Sequence, residues 1–559
     1  MTQQIWPRPW LSTYQSLGLN WAQLPVVPEQ HLGDYVSSHA QQLPDRVALV
    51  YLGQTFTYSA LDILANRLAT GLQQLGLHKG DVLAIHLPNT PQYVVAFIAA
   101  SRLGLVITSL SALLTPPELI HQLNDAKARA LLTFDLVFPT VITAIKDCVA
   151  SLHNVIVTSP ASWLPNAPAL QLPTQLGAAN VHDLTALMPS ETQVTSVPAD
   201  LDAVAFLQYT GGTTGRSKGA RLNLRQIFGN NLQVDVFNQY RLGQEVIASA
   251  FPLFHIGGSA IMHNALRVAA TLIITPDPRQ VDQFTHAMRM HPPTVIANVP
   301  ALFQMLLAHA PFTELDFSNL RLAISGAAPF TATEIERLSS IIGPGKVCEV
   351  YGMTETSPVQ TCNPPAAFKL GSVGIPVLGT DLRIWDIDQA CDMPLGEPGE
   401  IIVSGPQVML GYLSSADQSG GLIELDESTW MFTGDIGWLD DEGYLHLCDR
   451  SKDMLIVGGY KVFSVEVEAV VQSLKWVAMS ALVGRPDHDR PGNDVGRLYV
   501  QLAPNADIDE ASARTELLAL CRQHLAPYKV PREIVFVAAI PLTSVGKIDK
   551  KVLRAQAAA

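Results

Sequence analysis

The chain has 559 residues, of which 48 % are hydrophobic, and its 36 basic and 50 acidic side chains leave a formal net charge of −14. A chain of this length exceeds what one hydrophobic core usually supports, so we expect two or more domains. The acidic balance argues against a nucleic-acid-binding surface, which needs clustered lysine and arginine to displace counterions.

Neither the cysteines nor the first residues indicate secretion or a membrane span. The six cysteines show no CxxC pair and no metal-ligand spacing, which favours reduced thiols in a cytoplasmic protein. The opening MTQQIWPRPWLSTYQ lacks a basic region followed by an apolar run, so no secretory signal is predicted. Two apolar stretches, 94–114 and 253–274, contain polar residues, and each is predicted to be a buried helix followed by a strand. Peripheral association with the inner membrane face is left open.

Helical and strand patterns alternate over the first part of the chain. Ser59 is predicted to cap a helix that carries leucines at helical spacing and ends at Gly76. A strand over 81–87, a helix over 92–103 and a strand over 105–109 follow. This alternation predicts a doubly wound α/β layer.

The pattern changes twice further along the chain. A Pro-, Ala- and Ser-rich stretch, 159–202, is predicted to be an irregular surface connector, after which a strand is expected at 203–207. Beyond Asp449 the expected elements are a helix over 465–474, strands over 479–483 and 497–502, a helix over 510–525 and a strand over 533–537. We therefore predict a large α/β domain of several subdomains over 1–449 and a small α+β domain over 450–559, joined by a hinge.

The segment Tyr209–Gly219, with the sequence YTGGTTGRSKG, follows the strand predicted at 203–207. Its glycines let the backbone turn tightly, its threonines supply hydroxyl groups and Lys218 supplies a cation, which together suit a polyphosphate. It is not a Walker A loop, because Lys218 is followed by glycine and not by serine or threonine. The residues predicted to bind phosphate are Thr210, Gly211, Gly212, Thr213, Thr214, Gly215 and Lys218.

This segment resembles the phosphate-binding signature of the adenylate-forming superfamily, which includes acyl-CoA synthetases, peptide-synthetase adenylation domains and luciferases. Further segments match in the same order, so the resemblance covers nearly the whole chain. The amino-acid sequences of segments 207–215 and 405–412 are most similar to those of bacterial long-chain fatty-acid–CoA ligases.

The resemblance implies an adenine site made by two segments. The turn SGAAP at 325–329 would close over the base, where small residues permit a close approach of the backbone. Tyr351, in the segment YGMTET, would stack on the adenine. The residues assigned to this site are Gly326, Ala327, Ala328, Tyr351 and Gly352.

The same YGMTET segment implies a metal site and a phosphate contact. Glu355 would hold Mg²⁺, a role that suits one carboxylate beside phosphates, and Thr214 is a second candidate ligand. Thr354 would contact the α-phosphate.

The segment FPLFH at 251–255 resembles the part of the family that lines the acid pocket, so His255 and Gly257 are predicted to line it. Taken alone, a histidine in an apolar run is more often a core residue. The small residues Gly257, Gly258 and Ser259 are expected to leave room for a long acyl chain or a bulky group.

The last third of the chain carries the remaining implied roles. Asp435 would accept hydrogen bonds from both ribose hydroxyls, Arg450 would lie on the ribose side and Lys452 would be the pivot of the hinge. Lys547 would bring an ammonium to the carboxylate and α-phosphate oxygens, where negative charge accumulates during the reaction.

A group of four residues near the predicted hinge is assigned to coenzyme A. Luciferases and plant aryl ligases carry a lysine where this chain has Gly458, which favours the bacterial fatty-acyl type. The assigned residues are Gly458, Gly459, Tyr460 and Lys461.

The resemblance implies a ligase that forms an acyl-adenylate from a carboxylic acid and ATP, with Mg²⁺, and then transfers the acyl group to coenzyme A. The acid would be a medium- or long-chain fatty acid. Two alternatives stay open, namely a separate acyl-carrier protein as the acceptor and a non-catalytic relative that binds acyl-adenylates. The sequence does not distinguish a monomer from a homodimer.

Overall fold

The computed structural model describes residues 7–145, 147–192, 194, 196–210, 216–413, 421–458, 460–487, 490, 492–504, 506–542 and 548–558. The chain divides into two compact units. The larger unit contains Arg8–Asp381 and Val403–Met431, and the smaller unit contains Leu382–Ile402 and Phe432–Ala559. The domain boundary predicted between residues 449 and 450 stays a prediction.

The larger unit is built on two sheets with parallel centres. The first has nine strands in the order Ile375–Pro376, Val359–Asn363, Val347–Gly352, Leu322–Gly326, Val295–Asn298, Val246–Ala248, Thr271–Ile274, Val47–Tyr51 and Gln54–Thr57. The second has eight strands in the order Lys218–Asn223, Val204–Thr210, Val106–Ser109, Val82–Ile85, Ala130–Phe134, Asn154–Thr158, Ala179–Asp183 and Gln175–Leu176. One large hydrophobic core contains buried residues from both sheets.

Helices cover these sheets, as the predicted α/β class requires. In the larger unit they are Trp10–Ser16, Leu32–Gln42, Tyr58–Gln74, Pro91–Arg102, Pro116–Asp125, Leu184–Leu187, Leu224–Asn238, Ile256–Arg267, Val281–Met290, Pro300–Leu307, Ala310–Thr313 and Ala332–Ile342. Short 3₁₀ or π turns lie at Phe138–Ile142, Thr354–Thr356 and Pro365–Ala367.

A third sheet contains the long strand Ser428–Leu439, which pairs in antiparallel fashion with Leu422–Leu425 and with Leu445–Arg450. Its order is Cys391–Asp392, Asp381–Asp386, Gly399–Ser404, Ser428–Leu439 and Leu422–Leu425, with Leu445–Arg450 also paired to Ser428–Leu439.

The end of the chain has the predicted α+β composition. A three-stranded sheet contains Val477–Pro486, Asp494–Leu502 and Glu533–Val537, and a hairpin contains Leu455–Val457 and Tyr460–Val462. The helices are Ser464–Gln472, Glu510–His524 and Lys550–Ala558, and a 3₁₀ turn lies at Pro527–Lys529. Apolar residues of the first two helices pack with the sheet in one core that includes Val467, Leu482, Leu498 and Leu517. The predicted fold class, a large α/β domain followed by a smaller α+β domain, is confirmed.

The helix predicted from Ser59 is confirmed, but the predicted cap is wrong. The helix begins at Tyr58, and its cap is Thr57, whose Oγ1 accepts a hydrogen bond from the Ala60 amide at 3.1 Å. Both hydroxyl residues could cap a helix. The strand Gln54–Thr57 decides between them, because its extended backbone ends at Thr57.

The prediction of an irregular connector over 159–202 is partly wrong. Ala179–Asp183 pairs in parallel with Asn154–Thr158, and Gln175–Leu176 pairs with it in turn. This addition covers a strand edge that would otherwise present unpaired backbone groups.

The two apolar stretches form helix and strand, as predicted. Residues 94–114 contain most of the helix Pro91–Arg102 and the strand Val106–Ser109, and residues 253–274 contain Ile256–Arg267 and Thr271–Ile274. Among the described residues, none of the helices combines the length and the apolar character that crossing a bilayer requires.

Candidate active site

Two predicted nucleotide segments leave neighbouring strands at the same edge of the nine-stranded sheet. The strands Leu322–Gly326 and Val347–Gly352 run in parallel, with Gly326 opposite Val350. Carboxyl ends of parallel strands are the usual place for ligands in open α/β sheets. This strand pairing therefore places residues 326–328 beside residues 351–355.

The turn after Leu322–Gly326 needs small residues. A Cβ atom on Gly326 would lie 2.7 Å from Val350 Cγ2 and 2.9 Å from the Val350 carbonyl oxygen. Ala327 has a φ of 69°, in the left-handed region that side chains disfavour. Both features keep the backbone of this turn close to its neighbour.

The loop predicted to bind phosphate connects two antiparallel strands. Val204–Thr210 and Lys218–Asn223 pair with Thr210 directly opposite Lys218. These two residues therefore bracket the base of the loop from both strands. Gly211, Gly212, Thr213, Thr214 and Gly215 lie outside the described residues.

A distant segment extends the same sheet beside Lys218. The backbone amide of Arg221 donates to Gly411 O at 3.0 Å, and that of Leu413 donates to Gly219 O at 2.8 Å. This pairing places the ring of Tyr412 under Lys218, whose Nζ is 5.1 Å from the ring centroid.

Glu355 is buried, with 5 % of its surface exposed. It lies in the 3₁₀ turn Thr354–Thr356, and the Tyr412 hydroxyl donates to its Oε1 at 2.6 Å. Its backbone oxygen accepts from the Met409 amide at 2.8 Å. Tyr412 was not among the residues that the sequence predicted, and only the similarity of 405–412 to fatty-acid–CoA ligases marked its neighbourhood.

The site fits Mg²⁺ bound together with a polyphosphate. No cluster of three or more His, Cys, Asp or Glu that could hold a metal occurs in the described part of the chain. Mg²⁺ does not need such a cluster, since it commonly uses one or two carboxylates with substrate phosphates and water. Glu355 has one oxygen hydrogen-bonded by Tyr412 and no described donor on Oε2, which leaves that oxygen to a cation.

His255 is the N-cap of the helix Ile256–Arg267, and its Nδ1 accepts from the Gly257 amide at 3.1 Å. Its ring lies 5.0 Å from that of Phe251. The side chain of Asn89 holds this segment by donating to Phe251 O at 3.0 Å and accepting from the Leu253 amide at 2.7 Å.

The expectation that all three small residues leave room is wrong for two of them. A Cβ on Gly258 would lie 2.1 Å from the Pro252 carbonyl oxygen, so this glycine permits close packing. The Ser259 hydroxyl donates to Leu253 O at 2.8 Å and is buried. Gly257 faces the side chains of Phe251 and His255. Its role in lining the acid pocket stays a prediction.

Asp435 and Arg450, both in the smaller unit, are opposite each other on paired strands. Arg450 Nε lies 3.1 Å from Asp435 Oδ1. The turn before Asp435 is held by Glu400, whose Oε1 accepts from the Gly434 amide at 3.1 Å. Burial raises the pKa of Glu400, the Gly434 hydrogen bond lowers it and the charge of Asp435 raises it further.

Lys452 lies inside the smaller unit, in a turn tied to the last helix. The Asp453 and Met454 amides donate to Arg450 O at 2.9 and 3.0 Å, and Arg554 pairs with Asp453. The pKa of Lys452 is lowered, first by loss of solvent around its ammonium and then by the charge of Arg450. Its role as the hinge pivot stays a prediction.

The residues assigned to coenzyme A lie at a hairpin. Gly458 has a φ of 61° and follows Leu455–Val457, and Tyr460 and Lys461 lie on the returning strand. The Tyr460 ring stacks on Tyr528 with 4.6 Å between centroids. Gly459 and the catalytic candidate Lys547 lie outside the described residues, and the neighbours Leu542 and Ile548 form an antiparallel bridge.

Comparison with known proteins identifies the family of this chain. Residues 36–413 match the AMP-binding enzyme family, and residues 466–547 match the AMP-binding enzyme C-terminal domain. The long-chain-fatty-acid–CoA ligase of Escherichia coli O6:H1 is 33 % identical over 550 residues, covering 94 % of this chain and 95 % of that protein.

Two solved structures have similar folds. The anthranilate CoA ligase AuaEII in complex with anthranoyl-AMP matches with a TM-score of 0.82 and 25 % identity, over 97 % of this chain and 99 % of that one. The o-succinylbenzoate CoA synthetase of Bacillus subtilis in complex with ATP and magnesium ion matches with a TM-score of 0.76 and 27 % identity. This match covers 95 % of this chain and 99 % of that one. The chain belongs to the AMP-binding enzyme family, and its predicted membership of the adenylate-forming superfamily is confirmed.

Proposed function

We propose that the protein is an ATP-dependent acid–CoA ligase. It converts a carboxylate and ATP to an acyl-adenylate and pyrophosphate, and then transfers the acyl group to coenzyme A with release of AMP. The acid is a medium- or long-chain fatty acid, in keeping with the name of the Escherichia coli relative.

The observation that carries the proposal is the arrangement of Lys218 and Glu355 around Tyr412. An ammonium and a carboxylate each contact the same tyrosine, at 5.1 Å from the ring and 2.6 Å from the hydroxyl. ATP with a divalent cation requires both charges, one for phosphate oxygens and one for the metal.

We assign the parts of the nucleotide to separate groups of residues. Adenine stacks on Tyr351 and lies against the turn Gly326–Ala328, whose small residues admit the base. The ribose hydroxyls donate to Asp435, with Arg450 beside it. The triphosphate contacts Thr210 and Lys218 at the base of the loop, together with the loop residues Gly211–Gly215.

In the first step a carboxylate oxygen attacks the α-phosphorus, and the bond to the bridging oxygen of the leaving pyrophosphate breaks. Thr354 and Lys547 donate to the oxygens on which negative charge develops. Lys218 binds the departing pyrophosphate. Glu355 would hold Mg²⁺, with Thr214 as the second candidate ligand, and the ion would neutralise phosphate charge.

In the second step the sulfur of coenzyme A attacks the acyl carbonyl carbon, and the bond to the AMP oxygen breaks. A movement about Lys452 removes Lys547 from the site and presents Gly458, Gly459, Tyr460 and Lys461 to the pantetheine. Alternating domain positions let one site serve two reactions with different geometries.

The acid pocket lies beside His255 and Gly257 in this proposal. The segment carrying His255 is anchored by Asn89, and the helix after it begins at Ile256. A separate acyl-carrier protein is the alternative acceptor, since its phosphopantetheine thiol has the same reactive group as coenzyme A.

The proposal is tested with a panel of fatty acids of different lengths together with aryl acids. We expect acid-dependent ATP–pyrophosphate exchange that is strongest with medium or long chains, and AMP release that requires coenzyme A. Preference for aryl acids would contradict the fatty-acid assignment. AMP release with holo-carrier protein but not with coenzyme A would contradict the acceptor, and no exchange with any acid would contradict the ligase itself.

A further inference from the structure

The two reaction steps proposed above give Tyr412 no role of its own, yet its backbone is tied to the base of the phosphate loop. Ala220 and Tyr412 are antiparallel bridge partners. Backbone hydrogen bonds of 3.0 Å from Leu410 to Arg221 O and of 2.8 Å from Leu413 to Gly219 O hold the residues on either side. The tyrosine is therefore fixed relative to the strand that carries Lys218.

The hydroxyl of Tyr412 orients Glu355. It donates to Oε1 at 2.6 Å, a short hydrogen bond of the charge-assisted kind. The Met409 amide, three residues earlier, holds the backbone oxygen of Glu355 at 2.8 Å. One carboxylate oxygen and the backbone of Glu355 are thus both fixed by the same segment.

The ring of Tyr412 has a second function, because Lys218 Nζ lies 5.1 Å from its centroid. An ammonium over an aromatic face is attracted by the ring quadrupole. No ion pair joins Lys218 to Glu355 in the described part of the chain, although both contact the same side chain. The tyrosine contacts the ammonium of Lys218 and the carboxylate of Glu355 separately. A direct ion pair between these two groups would instead neutralise both charges.

We propose that Tyr412 is a positioning residue for the metal–triphosphate site. Its hydroxyl fixes the carboxylate of Glu355 for a divalent cation, and its ring holds the ammonium of Lys218 for phosphate oxygens, so that the two charges do not pair. This inference rests on the proposed function, because it assumes that ATP binds at this site.

Two substitutions separate the two contacts. Tyr412→Phe keeps the ring over Lys218 and removes only the hydrogen bond to Glu355. We expect it to weaken binding of ATP with Mn²⁺ by about 10-fold to 100-fold, the usual value of a hydrogen bond to a charged group. Its binding of ATP in EDTA should stay as in the wild type. Tyr412→Leu removes both contacts and should also weaken metal-free ATP binding, by roughly 3-fold.

The measurement is equilibrium binding of ATP to the full-length protein by calorimetry, with Mn²⁺ and in EDTA. Paramagnetic resonance of bound Mn²⁺ gives a second readout that does not depend on turnover. Tyr58→Phe is the matched control, because this buried hydroxyl donates to Ala270 O at 2.8 Å in the same unit and contacts neither charge. It should bind ATP as the wild type does under both conditions.

A double-mutant cycle decides whether Tyr412 acts through Glu355. In a Glu355→Gln background, Tyr412→Phe should have no further effect on Mn²⁺–ATP binding, because the group it orients no longer carries charge. Additive effects would overturn the proposal. It would also be overturned if Tyr412→Phe bound Mn²⁺–ATP as the wild type does, or lost affinity equally with and without metal. Failure of the wild type to bind ATP would instead contradict the proposed function.

Discussion

Asp435 and Arg450 face each other on antiparallel strands, and the distance from Arg450 Nε to Asp435 Oδ1 is 3.1 Å. The arginine side chain is 52 % exposed and the aspartate 11 %, so a ligand can approach the pair from the arginine side. The pairing fixes the direction of the carboxylate that we propose for the ribose.

Asp435→Ala should raise the KM for ATP by about 10-fold to 100-fold, because two hydrogen bonds from the ribose to a charged acceptor would be lost. The KM is measured by acid-dependent ATP–pyrophosphate exchange. Arg450→Gln should have a smaller effect, since it removes only the partner that orients Asp435. An unchanged KM in Asp435→Ala would contradict the ribose assignment.

Lys547→Ala should lower the rate of adenylation by about 100-fold to 1,000-fold, the usual effect of removing one donor to a developing negative charge. The rate is measured by pyrophosphate exchange. Thioester formation from chemically prepared acyl-AMP should continue at the wild-type rate, because Lys547 leaves the site before that step. Equal loss in both assays would mean that Lys547 does not act in the first step alone.

Lys452→Pro should slow thioester formation while adenylation continues, because proline removes backbone freedom at the proposed pivot. Each half-reaction is measured separately, the second from prepared acyl-AMP. Lys452→Ala is the control, since it removes the ammonium and leaves the backbone free. If both half-reactions fell equally in Lys452→Pro, the pivot would lie elsewhere.

Gly258→Ala should lower the free energy of unfolding by roughly 1–3 kcal/mol, the usual cost of forcing extra atoms into a packed core. The added Cβ would lie 2.1 Å from the Pro252 carbonyl oxygen, and a backbone atom cannot move aside cheaply. Gly257→Ala should cost less, because its nearest neighbour is the ring of Phe251 at 3.0 Å. Denaturant unfolding measures both, and equal stability of the two variants would contradict this reasoning.

Glu349 should make stability depend on pH. Burial raises the pKa of its carboxyl to about 8, so between pH 4.5 and 8 the folded protein holds a proton that the unfolded chain releases. The free energy of unfolding should therefore fall as the pH rises through this window. Glu349→Gln removes the titrating group, and well above pH 8 it should be more stable than the wild type by on the order of 5 kcal/mol. Identical pH profiles of stability would contradict the burial of a neutral carboxyl group.

Local sequence patterns predicted the main elements of this fold well. The strand expected at 533–537 is Glu533–Val537, and the helix expected over 92–103 is Pro91–Arg102. Such elements depend on side-chain periodicity over neighbouring residues. The strand Ala179–Asp183 was missed because its partner, Asn154–Thr158, and not its own Pro-rich surroundings, decides its conformation.

Some residues of the candidate site could likewise be predicted from local motifs, whereas others depend on tertiary contacts. Motif residues such as Glu355, Asp435 and Lys218 could be named from the sequence because each lies in a short characteristic segment. Tyr412 could not, because its significance lies in contacts with Glu355, 57 residues away, and with Lys218. The sequence predicts space at Gly258, and only the position of the Pro252 carbonyl shows that this space is filled.

The sequence by itself determined the family, the order of the elements and the residue types that handle ATP, because these follow from short motifs and local periodicity. The tertiary structure alone decided that Thr210 and Lys218 pair across strands, that Asp435 meets Arg450, and that one tyrosine contacts both a lysine and a glutamate. Such contacts join residues far apart in the chain. Strand register and packing bring them together, and no local pattern contains that information.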